Sequence, residues 1–206
     1  AKYTYDVQRP NLLWAKVVAS PFASAEILEV DLSAAKSTPG VKAVWKDEEL
    51  DEVEYAGQIV AAVAAVSEEI AEDAAAKIKI EYQALPHQVV DDDPSLSTVR
   101  PSKRDSGDVD QAFAESGIVI CEGDYGLPTV THCCLEAHGQ VTEWRDGELY
   151  VWPSTQNVSR YGDGLAEPAG VDRSKLHVDC QHMGGGFGSK FSHDKWAVIG
   201  AQLAKE

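Results

Sequence analysis

The chain has 206 residues, enough for one large or two small domains, and 44% of them are hydrophobic, enough for a buried core. A formal net charge of −16 makes nucleic acid and anionic membrane surfaces poor partners, because phosphate binding needs clustered Lys and Arg. No apolar run approaches the ~18 residues of a membrane helix, and no signal peptide is visible after Ala1, so a cytoplasmic location is expected, with the periplasm as the alternative.

Residues 3–6 and 12–19 flank the turn-like Arg9-Pro10-Asn11 and read as two short strands, or a strand and its lead-in. Residues 24–31, S-A-E-I-L-E-V-D, alternate apolar and polar and predict a half-buried strand. Asp31 or Ser33 can cap a brief helix over 34–37, which Pro39-Gly40 ends. A strand over 41–45 follows, and then the mostly acidic residues 47–54, read as a solvated face or linker. Residues 59–65 form a nearly continuous apolar strand. Ser67 caps a helix over 69–77 with acids in its first turns, and a strand over 78–82 puts Ile78, Ile80 and Tyr82 on one face. This strand–helix–strand succession has the usual size for such a unit. Residues 1–85 therefore read as a small α+β module with its own core.

Residues 87–104 hold Asp91-Asp92-Asp93-Pro94 and scattered Ser and Thr, and read as a linker or an extended strap. The triple Asp lacks a further acidic group at calcium-loop spacing. Asp108 caps a short amphipathic helix over 108–115. A strand over 118–125 and an extended piece over 128–134 come next. Asp146-Gly147, between strands over 139–144 and 148–152, is a two-residue hairpin signal. A polar helix over 157–166, a turn over 172–175, a strand over 176–180 and a helix-like run over 193–205 complete the reading.

Residues 183–190, M-G-G-G-F-G-S-K, stand just before that last run. Glycine lacks Cβ, so its backbone lets a bulky ligand reach bare N–H groups. N–H groups leading into a helix make a cradle for an anion or oxo group; a plain connecting loop is the alternative. The Walker motif does not fit, because Gly188 is followed by Ser189 and then Lys190, with Phe191 where Ser or Thr should stand, and G-x-G-x-x-G fails on spacing.

Two other stretches can converge with this loop: T-H-C-C-L-E-A-H-G at 131–139 and P-S-T-Q-N at 153–157. Each lies at the end of a predicted strand, where sheets commonly place ligands. On a strand, His132, Cys134, Glu136 and His138 would share one face, so zinc binding is an alternative to core or cofactor-pocket packing. The Gln156 amide can donate to an oxo group and orient a substrate, or simply start a helix satisfied by backbone. Cys121, Cys133, Cys134 and Cys180 form no C-x-x-C pair and read as buried or site-lining thiols rather than disulfides. No G-x-S-x-G elbow or H-E-x-x-H pair supports a hydrolase.

Taken together, these stretches resemble the molybdenum hydroxylase family: xanthine dehydrogenases, aldehyde oxidoreductases and carbon monoxide dehydrogenase large subunits. Y-T-Y-D-V, A-K-V-V-A-S-P-F-A-S-A-E-I, P-G-V-K-A-V and G-Q-I-V-A-A-V-A-A-V-S-E-E-I-A carry the resemblance in the first half. H-C-C-L-E-A-H-G, S-T-Q-N and M-G-G-G-F-G-S-K carry it in the second, and S-K-F with H-C-C-L-E is similar to the bacterial aldehyde- or isoquinoline-oxidoreductase-like branch. The implied fold class is α+β: an a/b hammerhead domain over 1–86, a linker over 87–107, and over 108–206 the N-terminal part of a mixed α+β molybdopterin-binding domain.

The resemblance implies site residues only where the motifs match. Gln156 falls beside the family's molybdenum oxo group. Gly185 and Gly186 bring the backbone up to the cofactor, and Phe187 and Gly188 supply N–H contacts, fixed donors that stabilise charge on oxygen without reorganising. The implied cofactor is molybdopterin with molybdenum, in the cytosine dinucleotide form, shared with another chain. Its dithiolene, not a cysteine, ligates the metal. The family's general base is a Glu near the end of a much longer subunit, and no Glu here matches it. Iron–sulfur and flavin modules are missing too. The expectation is part of a split or processed large subunit that oxidises an aldehyde or N-heterocycle with water as oxygen source and is inactive alone. Its expected partners are a chain carrying the rest of the molybdenum-binding domain, an iron–sulfur subunit and an FAD subunit. The alternative within the family is a non-catalytic scaffold or assembly module.

Overall fold

A computed structural model describes residues 1–88, 104–128 and 130–206. They fall into two units, one made of Ala1–His87 with His132–Glu206, the other of Gln88–Thr131.

In the first unit the chain opens with a 3₁₀ turn, Thr4–Asp6, where the sequence suggested a strand. Asp6 accepts the Tyr3 N–H at 2.9 Å and closes that turn locally. Strands β1 (Trp14–Ala19) and β2 (Ala25–Asp31), the short helix α1 (Ser33–Lys36) and β3 (Val41–Lys46) then follow. Next come β4 (Glu52–Val53), β5 (Ile59–Ala65), α2 (Glu68–Ala75) and β6 (Lys79–Ala84). They build two three-stranded sheets, β1-β5-β3 and β4-β2-β6, with every pair antiparallel. The strand–helix–strand succession is present, but β5 and β6 lie in different sheets. The acidic stretch is a solvated face as expected, with Glu48, Glu49, Asp51, Glu52 and Glu54 exposed; Val53 alone is fully buried, and Asp47 pairs with Lys195. Ser67 caps α2 as expected, its Oγ accepting the Ile70 N–H at 3.3 Å.

Strand β5 is buried on both faces. Ala61 and Val63 pack into a cluster with Ala35, Ala74 and Ile78, while Ala62 and Ala64 pack with Ile199 and Leu203. The period of two along a strand sends alternate residues to these two cores. Continuous apolar sequence is what such a strand requires.

In the second unit, α3 (Val109–Ala114) is capped by Asp108, whose Oδ1 accepts the Gln111 N–H at 2.9 Å. Among the described residues of 118–131 there is no strand, against the sequence expectation. A strand needs a neighbour to take its ladder hydrogen bonds. Val119, Tyr125 and Leu127 are exposed. The Asp91–Asp93 run lies outside the described residues.

Back in the first unit, β7 (Gln140–Arg145) and β8 (Glu148–Pro153) form the hairpin, and α4 (Val158–Leu165), β9 (Leu176–Val178) and α5 (Lys195–Leu203) follow. Asp146 and Gly147 take φ of +54° and +80°, the paired positive values of the two-residue turn. Strand β9 joins β8 in parallel. Helix α5 locks the two cores together. Ala197 and Ala201 face Leu149, Val151, Tyr161 and Leu165, while Ile199 and Leu203 face β3 and β5. Each pair is four apart and so lies on one helix face. Trp144 Nε1 donates to Ala201 O at 2.8 Å, and Lys195 lies over the Trp45 ring as well as against Asp47. No helix among the described residues is long and apolar enough to cross a membrane.

Candidate functional site

Strand β8 ends at Pro153 and delivers Ser154, Thr155 and Gln156 to the glycine-rich loop. Gln156 N–H donates to Lys190 O at 2.8 Å, and the Thr155 hydroxyl donates to the same oxygen at 3.0 Å. The Gln156 side chain then turns onto the loop. Its Oε1 accepts the N–H of Gly188 at 3.0 Å and of Lys190 at 3.1 Å. Two backbone donors fix which end of the amide is oxygen, so Nε2 is the end left over, and it makes no hydrogen bond to the described residues. Gly186 is required by this contact, since a Cβ there would lie 2.4 Å from Gln156 Cδ. Sequence reading set an oxo-directed amide against a backbone-satisfied one; here the oxygen is satisfied by backbone and the NH2 group is free.

The loop is anchored at both ends. Glu136 Oε2 accepts the Gly184 N–H at 2.6 Å and the Ser154 hydroxyl at 2.7 Å, while Oε1 accepts the Thr4 N–H at 3.2 Å. Lys190, buried, donates from Nζ to Ser154 Oγ at 2.7 Å and to Glu136 O at 2.8 Å. Its Nζ is 3.9 Å from the Glu136 carboxylate. Burial alone would raise the Glu136 pKa, but the N–H groups of Gly184 and Thr4, the Ser154 hydroxyl and the Lys190 charge outweigh it and hold the carboxyl below its usual range. Sequence reading offered Glu136 only as a metal-capable type and passed over Lys190, Ser154 and Thr4. A Glu in one motif and a Lys in the other were the available signal.

The segment around Glu136 is not a strand. Cys133 takes φ +47°, which breaks the alternation, so His132, Cys134, Glu136 and His138 do not line one extended face. His138 Nε2 instead donates to Ser189 O at 3.1 Å. Among the described residues no group of three His, Cys, Asp or Glu is placed to hold a metal ion. The loop also stands apart from α5, because residues 191–194 intervene. Its N–H groups are therefore not first-turn donors of that helix.

The loop presents an apolar ring beside N–H groups that have no internal partner among the described residues, with Gly185 half-buried and Gly186 buried. Phe187 is 74% exposed and takes φ +51°, a conformation bulky residues adopt where their surroundings impose it. The N–H groups of Gly185, Gly186 and Phe187 have no partner among the described residues, whereas Gly188 N–H is committed to Gln156. A cavity of about 220 Å³ opens elsewhere, between the N-terminal segment and the ends of β8 and β9, lined in part by Lys2, Arg9, Trp152 and His182. The loop is therefore a wall rather than an enclosed pocket.

Residues 90–206 match the molybdopterin cofactor-binding domain family, and residues 1–52 and 49–86 match the aldehyde oxidase and xanthine dehydrogenase a/b hammerhead domain. The chain is 33% identical to the xanthine dehydrogenase/oxidase of Gallus gallus over 87% of its length and 15% of that protein. It is 31% identical to the nicotinate dehydrogenase large molybdopterin subunit of Eubacterium barkeri, covering 92% of this chain and 51% of that one. Quinoline 2-oxidoreductase from Pseudomonas putida 86 superposes with a TM-score of 0.83 at 25% identity, over 98% of this chain and 31% of that one. The chain thus spans from 15% to 51% of the length of these relatives.

Proposed function

This chain belongs to the molybdenum hydroxylase family, and we propose that it contributes one wall of a molybdopterin site in a larger oxidoreductase. Residues 1–86 act as the hammerhead domain, 87–107 as a linker and 108–206 as the first part of the molybdopterin-binding domain. When bound, the molybdenum pterin supplies a two-electron oxidation with water as the oxygen source. The donor set fits such a group, because N–H donors match its oxygen-rich periphery. The Gln156 NH2 group and the N–H groups of Gly185, Gly186 and Phe187 hold and orient it, and Gly188 serves by clamping Gln156. The exposed Phe187 ring excludes water beside those donors. The general base and the remaining walls come from polypeptide beyond these residues, and iron–sulfur and FAD subunits take up the electrons. The pterin is in its cytosine dinucleotide form. The named relatives act on xanthine and nicotinate, which favours an N-heterocycle over an aldehyde as substrate.

The observation carrying this reading is the clamped Gln156 amide, whose oxygen is consumed inside the chain and whose NH2 end is not. The test is metal analysis and turnover of the complex purified through this chain. Stoichiometric molybdenum, with turnover cut by Gln156→Glu while the complex stays assembled, is expected. A complex without molybdenum, or unchanged turnover, contradicts it.

A further inference from the structure

Glu136 and Lys190 form a charged pair whose side chains are 7% and 0% exposed. Burying two charges is costly, and an apolar pair of similar volume is often at least as stable. A buried pair of this kind needs a geometric reason. The contacts supply one, because each goes to a different segment. Glu136 Oε1 accepts from Thr4 N–H in the N-terminal turn. Oε2 accepts from Ser154 at the end of β8 and from Gly184 at the start of the glycine-rich loop. Lys190, at the end of that loop, returns to Ser154 and to the Glu136 carbonyl. The stretch pinned at both ends carries the Gly188 and Lys190 N–H groups that hold Gln156.

We propose that Glu136 is a positioning residue: through it the N-terminal turn sets both ends of the glycine-rich loop, and with them the direction of the Gln156 NH2 group. The geometry concerns this chain alone; only its consequence for turnover rests on the function proposed above.

Amide hydrogen exchange on the full chain tests it, with Gln156 side-chain NH2 resonances as a second signal. Glu136→Gln removes the charge. Thr4→Pro removes one donor far from the loop in sequence. Proline suits that position, since Thr4 is the first residue of the 3₁₀ turn and Tyr3 before it is extended, at φ −100° and ψ 174°. Both variants should speed exchange at Gly188 and Lys190 by about tenfold, although neither substitution touches those amides. The Gln156 NH2 resonances should shift, and the Val63 amide in β5 should stay within about twofold of wild type. If Glu136→Gln fails to fold, Thr4→Pro carries the test. Unchanged exchange at Gly188 and Lys190 overturns the proposal. So does equal acceleration at Val63, which would mark a general loss of stability. No cofactor enters these readings, so they stand or fall separately from the proposed function.

Discussion

Gln156 Oε1 lies 3.0 Å from the Gly188 nitrogen and accepts its N–H, so side chain and loop are held as one piece. The same oxygen also takes the Lys190 N–H at 3.1 Å. Gln156→Ala strands both donors and should cost about 1 kcal/mol, water covering part of the loss. Gln156→Glu keeps an acceptor oxygen and removes the NH2 group. It should melt near wild type in a thermal scan yet lose turnover in the assembled complex. Equal loss of stability in the two variants would contradict this division of labour.

Gly186 is where backbone and Gln156 approach most closely. A Cβ would lie 2.4 Å from both Cγ and Cδ of Gln156. Gly186→Ala should force the glutamine off the loop, costing about 1–3 kcal/mol as overpacking does. Thermal unfolding measures that cost, and molybdenum content of the complex should fall with it. Wild-type values for both would show that the contact is not needed.

The Glu136 carboxyl is held below its ordinary value of 4.5 in the folded chain. The unfolded chain therefore binds the proton more readily. The stability this carboxylate contributes is complete above its ordinary pKa and is lost as pH falls through the lowered native value. Asp31, Asp172 and Glu148 are lowered as well, so the wild-type curve alone assigns nothing to Glu136. The difference between wild type and Glu136→Gln does. Urea midpoints should differ most near neutrality and converge as the solution is acidified through the lowered native value. A difference independent of pH would remove the carboxylate's charge from the account.

Tyr161 is buried, and its hydroxyl donates to Gln140 Oε1 at 2.6 Å. Gln140 Nε2 in turn donates to Ala197 O at 2.8 Å, linking β7 to α5. Burial, with Asp194 nearby, pushes the phenol far above its ordinary range, so it stays a donor wherever the fold persists. Tyr161→Phe leaves Gln140 Oε1 without its partner and should lower stability by about 1–2 kcal/mol in denaturant titration. No measurable loss would mean that the glutamine finds another donor.

Local signals in the sequence were strong where one short stretch decides the outcome. The seven residues of β5 coincide with the predicted strand because both faces are buried and all its residues are apolar. Asp146-Gly147 was readable because two positive φ values suit those residue types. Ser67 and Asp108 cap the helices expected of them. Tertiary partners were not readable. The zinc alternative needed an extended run over 132–138, but Glu136 instead collects donors from three distant segments. The burial of Lys190 follows from the same meeting and from no local pattern. The loop motif and Gln156 could be singled out by resemblance, yet which end of the amide is committed depends on how the loop folds back to bring the Gly188 and Lys190 N–H groups to it.

The most direct test of the central claim is a structure of the molybdenum-loaded complex containing this chain. The account predicts that the Gln156 NH2 group and the N–H groups of Gly185, Gly186 and Phe187 face the bound cofactor within hydrogen-bonding reach. A loop turned toward bulk solvent, away from any pterin, would contradict it.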